Sequence, residues 1–363
     1  MPLLHPRPGP VPDPTALPSR KHIRAWLAPM VAPRTVHALG LVVVDLALFV
    51  ATLALVVAIR NPWVKVLAGL VAGYVVGRLF LLGHDACHQS LTPHRRLNRW
   101  LGRLVFLPSL TPYSPWEIGH NVIHHGFTNL RHVDFVWQPL SLEEFKALPR
   151  TRRTLERLYR SGWAPWLYYL VEAWWKRLWF PRQALLPSRR ASVVADGALV
   201  TAFALVWMGV LAAAAVATGQ SVPLLLATGF ALPYVTWAAL AGFTVYVNHT
   251  HESVAWYGDR DSWSSAQAFL TTSVHIEFGS WVGRSMHNIM EHTAHHTDMT
   301  LPLYCLPRAQ QRLEQELPGH VVFQRFSWAW YRDTARRCKL YDYERRCWTD
   351  FDGRATTRSM IPG

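Results

Sequence analysis

Charge is scarce in this sequence. Lys, Arg, Asp and Glu together make up 17% of its 363 residues, and acids are outnumbered by bases, 23 to 37. So little charge beside a formal net charge of +14 is an unusual pairing for a soluble enzyme. Cysteine is sparse too: Cys87, Cys305, Cys338 and Cys347 form no CxxC pair. That argues against a disulfide framework or a thiolate metal site and leaves free thiols as the expectation. No P-loop, GxGxxG fingerprint or internal repeat is present, so the common phosphate cradles are missing. The first 35 residues are basic and Pro-rich, with no short apolar core ending in a cleavage site. They read as a cytoplasmic tail, with the first apolar run as an uncleaved anchor.

What the chain has in quantity is long apolar runs. They cover residues 36–59, 63–83, 192–218 and 222–247, paired by the short turns Arg60-Asn61-Pro62 and Gly219-Gln220-Ser221. Each has about 20 residues or more, enough to cross a hydrocarbon core of roughly 30 Å as a helix. Nearly all Lys and Arg lie in the N-terminal tail, the middle segment or the C-terminal segment, which places those three on the cytoplasmic side. The expected fold is an all-α integral membrane protein: four transmembrane helices in two hairpins, under a cytoplasmic helical cap. Residues 1–35 and 311–363 are expected as cytoplasmic tails around a membrane domain at 36–310. Asp45, inside the first run, needs a polar helix contact. Between the hairpins, Trp163, Trp166, Trp174, Trp175 and Trp179 interleave with Lys176, Arg177 and Arg182. Beside membrane spans this reads as an interfacial helix and not as a nucleic-acid surface.

Histidine is the other excess. Eight of 18 fall in three clusters, His84/His88, His120/His124/His125 and His292/His295/His296. These occupy 16 residues, where composition alone would place roughly 0.8. Spacings of three and four stack imidazoles on one helix face, with His125 turned toward a neighbouring direction. Neutral imidazole is a transition-metal ligand, and one ion takes about four to six, so the clusters point to two ions. The set is too rich in nitrogen for a zinc hydrolase, and no HExxH is present. A transporter with intramembrane ligands would carry its polar groups near the bilayer midplane, whereas these lie at or beyond the span ends. A nitrogen-rich pair of irons suits dioxygen activation and attack on an unactivated carbon chain.

At these residues the chain resembles the membrane fatty acid desaturases, within the wider desaturase/hydroxylase superfamily. The resemblance is carried by His84-Asp85-x2-His88, by Trp116-x3-His120-x3-His124-His125-x2-Thr128-Asn129, and by His287-Asn288 leading to His292-x2-His295-His296. Val247-Asn248-His249-Thr250-His251-Glu252 also resembles the histidine-bearing segment after the family's fourth span. Asp134-x2-Trp137-x-Pro139 makes the chain look most like the acyl-lipid omega-6 type, although its second box has three residues before the His pair where plant members have two.

The resemblance implies a non-haem di-iron centre, dioxygen as co-substrate, a lipid-linked acyl substrate and electrons from a separate donor. With no His-Pro-Gly-Gly haem motif, that donor is expected to be ferredoxin-like or another external protein. The implied ligands are His84, His88, His120, His124, His125, His292, His295 and His296, with His249 favoured as the ninth over His251. No catalytic side chain beyond these ligands is expected. Hydroxylases, ketolases, conjugases and acetylenases share the scaffold and form the alternative outcome. Asp85, Glu117, Asn121, Asp134, Glu252, Glu291 and Asp298 are candidates to orient ligands, as are His275 and His287. His94 and His132 are weaker candidates, Cys87 is read as packing, and His5, His22, His37 and His320 as background. An Arg- and Ala-rich composition places the protein in a bacterial inner membrane.

Overall fold

The computed structural model describes residues 17–179, 190–266 and 268–361. Residues 1–16 of the expected tail, with His5, and Arg182 of the Trp-rich stretch lie outside them. Four helices are long and apolar enough to cross a membrane: Thr35–Ala58, Pro62–Cys87, Ala191–Ala217 and Val222–His249. The second and fourth run beyond their apolar stretches by four and two residues, which carries His84 and His249 on continuous helix.

Local chemistry starts these helices. Asn61 accepts from the backbone N–H of Trp63 at 2.9 Å, and Pro62 sits at the first helical position. Ser221 caps the fourth span, which contains a wider π-helical turn at Ala227–Ala231 just before Pro233. Gln220 Nε2 donates to the Val57 carbonyl at 2.8 Å, and Arg60 to the Thr218 carbonyl at 3.1 Å. Both short turns therefore meet at one end of the bundle.

The second and fourth spans approach closely because glycine allows it. A Cβ on Gly69 would lie 2.3 Å from the Thr228 carbonyl oxygen, and one on Gly73 2.4 Å from Thr236 Cβ. Asp45 is fully buried and meets two partners, Arg78 of the second span at 2.8 Å and His287 at 2.8 Å. The expected polar contact is thus an ion pair between spans, extended to His287 beyond them.

Beyond the spans the chain forms short helices and is not purely helical. Val274–Glu277 pairs in parallel with Val322–Arg325, and Leu340–Asp342 antiparallel with Cys347–Thr349. The first pair joins strands far apart in sequence, too short to show alternation. Residues of the 311–361 stretch pack on segments outside the spans. Trp348 Nε1 donates to the His251 carbonyl at 2.9 Å, and Tyr331 to the Gly162 carbonyl at 2.6 Å. The Trp-rich stretch is a π-helical segment, Tyr169–Trp179, with Trp174 buried and Trp175 exposed.

Candidate metal centre

Two span ends and two short helical segments deliver nine imidazoles to one place. His84 and His88 close the second span, and His249 closes the fourth. His292, His295 and His296 share the short α-helix His292–Thr297. The second cluster lies on a π-helical turn, Ile118–His124, where the His125 N–H donates to the His120 carbonyl five residues back at 2.9 Å. The wider turn brings His125, not His124, over His120. His120 and His124, four apart, therefore do not share a face as ordinary α-helical spacing would have it.

The imidazoles sort into two sets, each with its ligand atoms within 4.8 Å of one another: His84, His88, His120, His125 and His295, and His124, His249, His292 and His296. Within the first, His120 Nε2 lies 3.1 Å from both His84 Nε2 and His125 Nε2. Within the second, His292 Nε2 lies 3.1 Å from both His249 Nε2 and His296 Nε2. Two nitrogens bound to one ion at about 2.1 Å stand roughly 3.0–3.4 Å apart, so these are the edges of a coordination shell. The sets touch: His125 stacks on His296 with ring centres 4.3 Å apart.

The second set has its outer nitrogens fixed. His124 Nδ1 donates to both Asp134 oxygens at 3.0 Å, and His249 Nδ1 to the Thr272 carbonyl at 2.9 Å. His292 Nδ1 donates to the Ile289 carbonyl at 3.3 Å, and His296 Nδ1 to Thr128 Oγ1 at 3.2 Å. Thr128 in turn donates to the His124 carbonyl at 2.7 Å. With the Nδ1 atoms turned outward, the Nε2 atoms of the set point toward one another, as around a bound cation. In the first set His88 and His295 are buried with neither ring nitrogen hydrogen-bonded in the protein. Buried polar atoms normally find partners, so these are ligand-ready nitrogens.

Burial, then repulsion from neighbouring imidazoles, holds His88, His120, His125, His292, His295 and His296 well below the usual histidine range. They are neutral and able to coordinate. Burial would raise the Asp134 carboxyl, but His124 and the Asn129 N–H hold it below its ordinary value.

Of the candidate orienting groups, Asp134 bonds a cluster imidazole. Asp85 accepts from the Leu303 N–H at 2.8 Å and lies 3.7 Å from His84 Nδ1. Asn121 donates to the Cys87 carbonyl, Glu252 pairs with Arg337, and Asp298 with Arg24. Burial raises Glu291 to about 7. His275 pairs with Glu314, His287 with Asp45, and His132 with Glu144 at 3.4 Å, while His94 lies in the turn before Arg95–Phe106. His251 stands apart, with Nδ1 accepting from the Ser253 N–H at 3.0 Å and Nε2 3.4 Å from Gln324. Cys87 is buried and free. The orienting partners that the sequence does not announce are the Thr272 and Ile289 carbonyls, which carry no side-chain signal, and Thr128, which lies within the second histidine box.

Two openings reach the sets. One pocket is lined by His84, His120, His124, His249 and His292, and otherwise mostly by apolar groups such as Phe80, Trp116, Phe135, Leu178, Trp237 and Val245. A second opening, lined wholly by residues outside the four spans, includes Arg20, Trp263 and Phe269 and reaches His125 and His296.

Sequence comparisons agree with this geometry. The chain is 29% identical over 324 residues to the chloroplastic omega-6 fatty acid desaturase of Brassica napus, covering 89% of this chain and 67% of that protein. It is 29% identical over 274 residues to the sn-1 oleoyl-lipid 12-desaturase of a Synechocystis species, covering 73% and 72%. With the Anabaena variabilis protein of that name it is 27% identical over 291 residues, covering 77% and 78%. The chain spans about two thirds of the length of the plant relatives it matches. Residues 61–328 match the sequence profile of the fatty acid desaturases, a stretch that contains all nine clustered imidazoles. The chain belongs to the fatty acid desaturase family and is an oxidoreductase.

Proposed function

We propose that the protein introduces a double bond into a lipid-linked fatty acyl chain, using dioxygen, at a pair of irons on the cytoplasmic face of a membrane. One observation carries this: two touching sets of buried imidazoles open into one pocket walled mostly by apolar side chains. His84, His88, His120, His125 and His295 would hold one iron, and His124, His249, His292 and His296 the other. The inward Nε2 lone pairs and the partnerless nitrogens of His88 and His295 fit such ions. The iron pair would supply dioxygen reduction, which takes two electrons and two protons from outside and two hydrogens from adjacent acyl carbons, leaving an alkene and two waters.

The protein's own part is to hold and to exclude. Phe80, Trp116 and Trp237 are buried and form an apolar wall that keeps water off the reacting carbons. Asp134, Thr128 and the Thr272 and Ile289 carbonyls fix the ring planes, so the ligand geometry is set before substrate arrives. No nucleophile or general base is assigned, since the histidines act as ligands. Electrons come from a separate, ferredoxin-like donor drawn to a basic cytoplasmic surface.

The same reading sets the four spans as two hairpins in a bacterial inner membrane, with the cap and termini cytoplasmic and the core at residues 36–310. The meeting of both short turns at one end supports it. The test is acyl-chain profiling of a host lacking polyunsaturated lipids, with iron and a donor supplied. Wild type should add a double bond and His292→Ala none. A wild-type strain with unchanged lipids would sink the proposal, and a product heavier by one oxygen would mark a sister hydroxylase.

A further inference from the structure

The acyl cavity has one charged corner that metal binding does not use. Arg78 lies in the second span, about 9 Å along the helix from His84 at 1.5 Å per residue. Its side chain lines the cavity. An ionised group inside a span is costly, and such residues are functional by default. Arg78 is held from behind: Nε and one terminal nitrogen donate to Asp45 Oδ1 at 2.9 and 2.8 Å, and the other terminal nitrogen donates to the Ser285 carbonyl. Asp45 also accepts from His287 at 2.8 Å, and Tyr74 donates to Ser285 Oγ at 2.7 Å. A guanidinium carries five N–H bonds. These contacts use three, and among the described residues the remaining two have no acceptor.

The corner lies at the mouth of the cavity. Tyr74, Gly77 and Arg78 on the second span, and Leu240, Ala241 and Thr244 on the fourth, are partly exposed, while Phe80, Trp116 and Trp237 behind them are buried. The mouth thus opens sideways between two spans, with exposed Leu70 and Val71 one turn away.

We propose that Arg78 is an ester-oxygen subsite, donating its two spare N–H bonds to the carbonyl of an acyl ester that enters between the second and fourth spans. This rests on the acyl-chain reading of the cavity. Asp45 cancels the charge of Arg78, so the corner suits a neutral carbonyl over a free carboxylate. Because Asp45 and Ser285 fix the guanidinium, the bonds form without reordering a long side chain.

The test uses the full chain in phospholipid nanodiscs with two photoactivatable phosphatidylcholines, one with its diazirine beside the ester carbonyl and one near the methyl end. Adducts are mapped by mass spectrometry. The carbonyl-side probe should label the peptide holding Tyr74–Arg78, and the methyl-end probe the peptide holding Tyr169–Leu178. In Arg78→Gln the first adduct should fall at least about fivefold while the second and the iron content persist. The Michaelis constant for the ester should rise about tenfold with kcat within about twofold, the loss of one to two charged hydrogen bonds. Should that variant misfold, Asp45→Asn/Arg78→Gln keeps the corner neutral. Gly77→Leu, whose Cβ would start 3.3 Å from Leu240 Cδ1, should block both adducts. A carbonyl end mapped away from Arg78, unchanged labelling in Arg78→Gln, or a free fatty-acid probe outcompeting the ester would each overturn the subsite alone. No adduct anywhere in the cavity of the wild type would overturn the acyl-chain reading itself.

Discussion

A single ring nitrogen can decide whether this site works. The nine imidazoles that converge are the ones the sequence singles out, because histidine clustered at helical spacing seldom serves anything but a metal. Their supports were far less legible. Several acids are equally able by sequence to orient a ligand, yet Asp134 reaches His124 while Glu252 and Asp298 pair with Arg337 and Arg24. Carbonyls such as Thr272 and Ile289 do the same work with no signature, since every residue has one. The buried rings also predict a pH response. Burial and mutual repulsion lower six imidazoles in the folded state, so the unfolded chain takes up more protons below about pH 6.5. That stability is present above this pH and drains as pH falls. Chelator-stripped protein should lose melting temperature steadily from about pH 7 to pH 5 in calorimetry; a flat profile would contradict neutral buried rings.

At the scale of elements, the second box shows where period-based reading failed. Three residues before the His pair suggest that His120 and His124 share an α-helical face. The π-helical turn at Ile118–His124 instead aligns His120 with His125 and sends His124 to the other set. One extra residue in a helix is commonly absorbed as such a turn. Removing the exposed Val122 should restore an ordinary turn with His120 and His125 four apart, still on one face. We expect that deletion to keep most bound iron by elemental analysis, and an Ala inserted after Val122 to lose at least half. Equal iron in both would mean that the turn does not set the ligand faces. The short strands escaped notice for a related reason: four residues show too little alternation to separate from loop.

For the whole molecule, the apolar runs and the sign of the loops made the spans legible to within a few residues. The contacts that lock the spans were not, because glycine leaves no hydrophobic signal. Gly73→Leu would drive a side chain into Thr236 and the Pro233 carbonyl, whereas a side chain at Gly40 would meet nothing within 4 Å. The first should cost about 3 kcal/mol or more and lower the apparent melting temperature, and the second should change stability by less than about 0.5 kcal/mol. Thermal unfolding in detergent compares them directly. The contacts of residues 311–361 with segments outside the spans leave no sequence pattern, since their anchors are single aromatic side chains on distant carbonyls.

The stacked pair His125 and His296 forms part of the floor of the opening away from the spans, while His84 and His249 face the apolar cavity. On the proposed reading, fuel and feedstock would have separate doors: a reductant could be exchanged for a fresh one while the fatty chain stays seated.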